Sequence, residues 1–404
     1  MRRLTASISL IILVLCASSA PASARAPWKR DLDRIATGKT IGISVKNGKR
    51  TLYSWSGGDR RVPASNEKLL VSMALLNRLA PGSTLRTAAL GGELDSTVLR
   101  GNLYLVGRGD PTLTTGGSMV KELPFKPTYL GRLAKKIKKA GVRRISGRVI
   151  GAKSYFRHDW WANGWKPSFP SEEVPLPAAL NLNANRHKGK HISNPERRAA
   201  EKLTKKLRSI GVRVGGHPKA GRRPPPSLDN LIAKMESPPL RVMLQYMNRK
   251  SANYFAEVFG KLLAVARSGP LGTIAKGARA IEVFASRHGV KLTAHDSSGL
   301  SYSNRVSPRG LTKLLGFSKR QTWGKLLRGM LPTGGEGTLT DRLHGVPMRA
   351  KTGTLDSVST LSGWIKLKRT HSWAEFSIMS RGMPKYRAAQ IEDRIVRLLR
   401  KRAR

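Results

Sequence analysis

The sequence predicts an α+β protein: a helix-and-sheet domain interrupted by a strand-rich insert. Three observations carry that prediction. An Asn-Gly hairpin signal lies near the start, in TIGISVKNGKRTLYSW (40–55), and two more strand-like runs lie near the end, VSTLSGWIKLK (358–368) and SWAEFSIMS (372–380). Apolar residues recur at helical spacing after residue 65 and again after residue 236. Between them, from about residue 84, the texture changes to short alternating segments punctuated by glycine and proline.

Taken in order, the chain opens with Arg2 and Arg3, an apolar stretch from Ile8 to Ala17, and small residues ending in Ala22-Ser23-Ala24. That is the pattern of a secretory signal peptide (1–24), whose apolar core is too short to span a bilayer. The protein is therefore expected in the periplasm or another extracytoplasmic wall space. Leu15 is too large to precede a lipidated cysteine, so Cys16 is expected to leave with the signal. The mature chain then has no disulfide and must rely on its core.

A catalytic domain is expected over 27–83 and 236–404, with the insert over 84–235. In the first piece the hairpin leads into PASNEKLLVSMALLNRLAPGS, where Leu69, Leu70, Met73, Leu76 and Leu79 share a helical face until Pro81-Gly82 stops the run. In the insert, GNLYLVGRGDPTL (101–113) and RRISGRVIGA (143–152) read as strands, with a basic helix at 129–140 between them. An aromatic stretch, HDWWANGWKPSFP (158–170), follows, and GRRPPPSLDN (221–230) reads as a linker. The chain closes with Ile391, Ile395, Leu398 and Leu399 on one face of a terminal helix.

The charge is extreme, 75 Lys and Arg against 24 Asp and Glu, or +51, and +49 once Arg2 and Arg3 are removed. Such a field favours polyanions. For an exported chain, anionic wall polymers or a lipid surface rank above nucleic acid, which is not expected as a partner. The basic residues are spread along the chain, apart from KKIKKAGVRR (135–144) and the tail RLLRKRAR, so a generally basic solvated surface is the plainer alternative.

Three short motifs carry the chemistry. Ser65 and Lys68 stand at i and i+3, which places a hydroxyl at a helix start and an amine one turn along the same face. A buried lysine beside other cations loses its proton near neutral pH and can act as general base. The spacing alone is weak, since Ser118 and Lys121 share it, and on this motif by itself Ser65 reads more readily as a helix cap with Glu67 in the first turn. Ser251-Ala252-Asn253 and Lys351-Thr352-Gly353 each occur once. Together, in this order, Ser-x-x-Lys, Ser-x-Asn and Lys-Thr-Gly form the motif set of penicillin-binding proteins and serine β-lactamases.

With its flanks, the chain resembles the D-alanyl-D-alanine carboxypeptidase/endopeptidase family, the class C low-molecular-mass penicillin-binding proteins. PASNEKLL, GNLYLVGRGDPTL, SPPL, SANYFAE, DSSGLS, RVSP, LPTGGEGTL and AKTGTL occur in the family's order. The resemblance implies a transpeptidase-like domain, an antiparallel sheet flanked by helices, with an insert shortened near NLNANRHKGKH. It implies a serine hydrolase of peptidoglycan stem peptides that β-lactams acylate. In that scheme Ser65 is the nucleophile, Lys68 its base, and Ser251 a proton relay held by Lys68 and Lys351. Asn253 binds the substrate's backbone amide, Lys351 and Thr352 face the terminal carboxylate, and Gly353 lets substrate lie close to the strand. The backbone N–H groups of Ser65 and Thr354 form the oxyanion hole. Asp296 is a secondary candidate, lining the site or capping a turn, and Glu67 is a bystander.

No cofactor or metal is expected: His187 and His191 have ligand-like spacing but lie among basic residues. The Arg108-Gly109-Asp110 tripeptide reads as a turn. Two rival readings are a β-lactamase, which lacks here any Glu-x-x-x-Asn for fast deacylation, and a non-catalytic binder of anionic wall polymer.

Overall fold

The computed structural model describes residues 26–403. The signal-peptide segment and Cys16 lie outside the described residues. Both ends of the described chain meet in one five-stranded antiparallel sheet, in the order Met348–Leu355, Val358–Lys366, Trp373–Arg381, Ile41–Asn47, Arg50–Trp55. The N-terminal hairpin thus adds to strands from the other end of the sequence, with Ile43 opposite Ile378 and Val45 opposite Phe376. Its turn is centred one residue later than the Asn-Gly signal suggests: Asn47 pairs with Arg50, leaving Gly48 and Lys49 as the loop. Gly48, at φ +62°, supplies the positive dihedral that such a turn needs at its first position.

Helices cover both faces of this sheet. Leu361 and Ile365 pack with Leu32 and Ile35 of the helix Pro27–Ala36 and with Ile395 and Leu399 of the helix Lys385–Arg402. Trp364 and Met379 face the opposite way, into a helical core with Leu314 and Leu315 of the helix Pro308–Lys319. The same core holds the helix Glu67–Leu76, every residue of which is buried. Its sequence is apolar almost all round, as a helix at the centre of a bundle must be. Packing against the helices Leu240–Lys250, Asn253–Ser268 and Ile274–Arg287 accounts for that.

The intervening residues form a second, mixed sheet, in the order Lys219–Gly221, Val149–Ala152, Leu103–Gly107, Arg86–Gly91, Asn230–Glu236. The stretch read as a linker is a short connection inside this unit, running from one edge strand to the other through a 3-10 turn at Pro226–Leu228. The basic helix spans Leu130–Lys139. A second helix, Pro195–Ser209, was not anticipated, although its signals are in the sequence. Asn194 accepts from the Arg197 N–H as an N-cap, Pro195 opens the first turn, and Ala199, Ala200, Leu203 and Leu207 form a buried stripe. The two helices pack together against the sheet over a core that includes Leu103, Leu105, Leu133 and Leu203.

Candidate active site

The stretch around Ser65 is a turn before it is a helix. Ala64–Asn66 form one 3-10 turn, and the α-helix begins at Glu67. The Ser65 hydroxyl makes no capping bond, so the cap alternative does not describe it. Ala64 is held at φ +47°, a conformation that costs an alanine roughly 1–3 kcal/mol unless its surroundings impose it. They do so from three sides. Thr360 donates to the Pro63 carbonyl at 2.9 Å, and Asn66 donates to Ser362 Oγ at 2.9 Å. A Cβ on Gly299 would fall 1.9 Å from the Ala64 carbonyl oxygen, so only glycine admits that approach.

Gly353 has the same use. A Cβ there would meet Thr360 Oγ1 at 2.3 Å, and the Pro63 oxygen and Ser65 nitrogen both at 2.9 Å. The glycine seats the outermost strand, Met348–Leu355, against the turn that carries Ser65. That strand pairs on one side only, with Val358–Lys366, so its other edge is free beside Ser65.

Lys68 is fully buried one turn beyond Ser65. Its Nζ lies 3.0 Å from Ser65 Oγ, 2.8 Å from Asn253 Oδ1 and 2.6 Å from the Ser298 carbonyl oxygen. Burial lowers its pKa to about 8, against the opposing fields of Asp296, Glu257, Glu173 and Glu67. A neutral amine has two N–H donors and one lone pair. Asn253 Oδ1 and the Ser298 carbonyl only accept, so they take both N–H groups. The lone pair is left for the third neighbour, Ser65, whose O–H then donates to it.

The Asn253 amide is held in one orientation by Glu173, a residue with no motif of its own in the sequence. Asn253 Nδ2 donates to Glu173 Oε2 at 2.8 Å, so Oδ1 must face Lys68. Glu173 lies three residues past the aromatic stretch, at the end of the short helix Phe169–Glu172. The available signal was a Glu172-Glu173 pair in a chain with only 24 acids.

Ser251 ends the helix Leu240–Lys250 in a left-handed conformation, φ +56°, and receives a hydrogen bond from Lys351 Nζ at 2.9 Å. Lys351 also donates to the Thr352 carbonyl at 2.8 Å. Burial pushes its pKa well below the ordinary lysine value, and the nearby Lys68 adds to the effect. The serine is therefore held by Lys351, while the Lys68 contacts are to Ser65, Asn253 and Ser298. A buried relay, Asn248 Nδ2 to Ser72 Oγ at 3.0 Å and Ser72 Oγ to the Lys68 carbonyl at 2.6 Å, ties the Ser251 helix to the nucleophile helix.

Ser65, Ser251, Asn253, Thr352, Gly353 and Thr354 line one cavity of ≈ 730 Å³. Glu173, Lys166 and Tyr302 share its wall, and Thr352 Oγ1 donates to Thr338 at 2.7 Å. Asp296 is outside the lining. It is buried behind Lys68, where its carboxyl accepts from Trp165 Nε1, Ser298 Oγ and the Ser301 N–H on one oxygen. The Gly299 N–H and Asn304 Nδ2 donate to the other. It organises the loop that presents the Ser298 carbonyl to Lys68, which makes it a positioning residue. Glu67 is also buried, and makes no hydrogen bond to Ser65 or Lys68. Burial, with Asp296 and Glu257 adding, raises its pKa well above the usual carboxyl range. Glu257, raised to about 8 by burial and then Asp296, accepts from the Ser297 and Ser298 N–H groups.

The arrangement has parts that suit acyl transfer: a serine hydroxyl beside a buried amine of lowered pKa, a second lysine–serine pair, and an outer strand edge beside them. Comparison with known proteins agrees. A curated carboxypeptidase of Mycobacterium tuberculosis is 29% identical over 75% of this chain and 67% of its own length. A D-alanyl-D-alanine carboxypeptidase of an Actinomadura species is 26% identical over 78% of this chain and 72% of its own. The crystal structure of penicillin-binding protein 4 from Haemophilus influenzae superposes with a TM-score of 0.76, at 21% identity, over 93% of this chain and all of that one. That likeness shows the fold. The family model for the D-Ala-D-Ala carboxypeptidase 3 (S13) peptidases matches residues 30–190 and 185–402, and the chain belongs to that family.

Proposed function

We propose that Ser65 cleaves the D-Ala-D-Ala peptide bond of peptidoglycan stem peptides through an acyl-enzyme. The observation that carries this reading is the buried Lys68 Nζ, 3.0 Å from Ser65 Oγ, whose other two contacts are acceptors, so that on losing a proton it keeps both N–H groups engaged and turns its lone pair to Ser65. The Ser65 proton passes to Lys68 as Oγ bonds to the carbonyl carbon of the penultimate residue. The backbone N–H groups of Ser65 and Thr354 receive the oxyanion, each such donor being worth about 10²–10³ in rate. The C–N bond then breaks, and the departing amine takes a proton through Ser251, which Lys351 holds in place. Water hydrolyses the ester and restores both groups. Lys351 and Thr352 meet the substrate's terminal carboxylate, and the second Nδ2 proton of Asn253 remains for a substrate carbonyl.

A β-lactam enters the same path and leaves its ring-opened acyl group on Ser65. The protein acts after export, and its positive charge holds it on anionic wall polymer or a membrane surface. Mass spectrometry of products from a pentapeptide and from a cross-linked dimer separates terminal trimming from cross-link cleavage. A fluorescent penicillin should label the wild type and leave Ser65→Ala unlabelled. Undiminished label on Ser65→Ala would sink the assignment.

A further inference from the structure

A second cavity, of ≈ 810 Å³, lies in the insert and shares no lining residue with the first. Its walls come from the helices Leu130–Lys139 and Pro195–Ser209 and the loop before the first of them. Phe125, Pro127 and Leu130 give it an apolar side. Lys126, Arg132, Lys135, Lys202 and Lys206 bring five cations, and no carboxylate lines it.

The sequence places these charges by helical spacing. Arg132 and Lys135 stand at i and i+3 on one helix, Lys202 and Lys206 at i and i+4 on the other, so each pair shares a face. The helices meet here: the Lys206 stem runs over Gly131 in the first turn of the basic helix, at ordinary contact distance. Other cations on the same two helices are already engaged. Lys136 donates to the Lys234 carbonyl, Lys138 to that of Ile210, Arg208 to that of Val214, and Arg197 pairs with Glu201. None of the five cavity cations has an ion pair among the described residues, and Arg132 lies 5.2 Å over the Tyr129 ring.

Five unpaired cations around one concavity repel one another, and a multivalent anion relieves that repulsion. The cavity is much larger than a single ion needs, and is in the range that holds an organic ligand of several rings or units. We infer that it binds a phosphate-ester polyanion, a sugar- or polyol-phosphate chain whose phosphates meet the lysines while its carbon skeleton lies against Phe125 and Pro127. This rests on the proposed export to the envelope and not on the peptidase chemistry.

The test is calorimetric titration of the mature chain with a synthetic glycerol-phosphate oligomer, at about 0.05 M and 0.3 M salt. Inorganic phosphate and vesicles containing phosphatidylglycerol serve as parallel probes. Lys202→Glu with Lys206→Glu should weaken oligomer binding at least about tenfold. Arg394→Glu with Arg397→Glu, the same charge change on exposed positions of the terminal helix, should weaken it less than about threefold. Equal loss in both pairs means that net charge alone binds, and overturns the inference. So does absence of binding to wild type, or vesicles or free phosphate binding more tightly than the oligomer. Penicillin labelling of each variant reports its fold, and Lys202→Gln with Lys206→Gln replaces the glutamate pair if that pair is not labelled. Failure of wild-type labelling would remove the peptidase reading while leaving the binding result intact.

Discussion

The rate of penicillin acylation should follow deprotonation of Lys68. Burial places its pKa at about 8, partly offset by the carboxyl groups behind it. The base must be neutral to accept the Ser65 proton, so activity rises with pH and levels off above the midpoint. With a midpoint of about 8, about one molecule in eleven has a neutral Lys68 at pH 7 and about half at pH 8. Acylation should therefore rise about fivefold between those values, fall about tenfold per unit below pH 7, and change little above about pH 9. Stopped-flow labelling with a fluorescent penicillin across this range measures the profile. Lys68→Arg is the companion variant, because a guanidinium fills much the same space but does not lose its proton, and it should cost about 10²–10⁴ in rate. A flat profile, a rate that falls as pH rises, a midpoint near that of an ordinary lysine, or a fully active Lys68→Arg would refute the assignment of Lys68 as base.

Three further outcomes follow from the same geometry. Glu173→Ala releases the Asn253 amide, allowing Nδ2 to face Lys68 and compete for its lone pair. Because Glu173 is exposed, the lost bond is discounted to about 1 kcal/mol, so acylation above about pH 9, where Lys68 is neutral with or without the Glu173 field, should slow about fivefold, with a melting temperature lower by no more than a few degrees. An unaltered rate contradicts the clamp. Asp296→Asn removes the largest field holding the Lys68 ammonium, so the midpoint of the pH profile should move below 8. It also places an NH₂ group among five donors, and denaturant titration should show a loss of about 1–3 kcal/mol. A destabilised variant with an unmoved midpoint would mean that Asp296 is structural only. Gly353→Ala sets a methyl against Thr360, Pro63 and Ser65, at a cost of about 1–3 kcal/mol in stability and with slower acylation. Wild-type behaviour in both measurements would show that the strand can back away from the nucleophile turn.

Much of the fold was readable because its signals are local. The Asn47-Gly48 hairpin, the apolar run after Ser65 and the paired strands near the C-terminus depend on residues close in sequence. Even there the turn moved one residue, since Gly48 and not Asn47 takes the first loop position. The helix Pro195–Ser209 was missed despite an Asn-Pro start and a regular apolar stripe, because its many lysines and arginines obscure the periodicity.

By itself, the sequence determined the residue types at the nucleophile turn, the two later motifs, and the excess of positive charge. These are covalent facts, and only their unusual combination distinguishes them from a capped helix and a few common tripeptides. Tertiary structure decided what each residue does. It joined the first strands of the chain to the last, and it brought Lys351 within reach of Ser251, 100 residues away. It gave Lys68 two acceptors drawn from positions 253 and 298, and used Glu173 to orient one of them. It also turned Gly353 into a packing residue and Asp296 into a support. Burial, amide orientation and close backbone approach arise between segments 80 or more residues apart. No spacing along the chain encodes them.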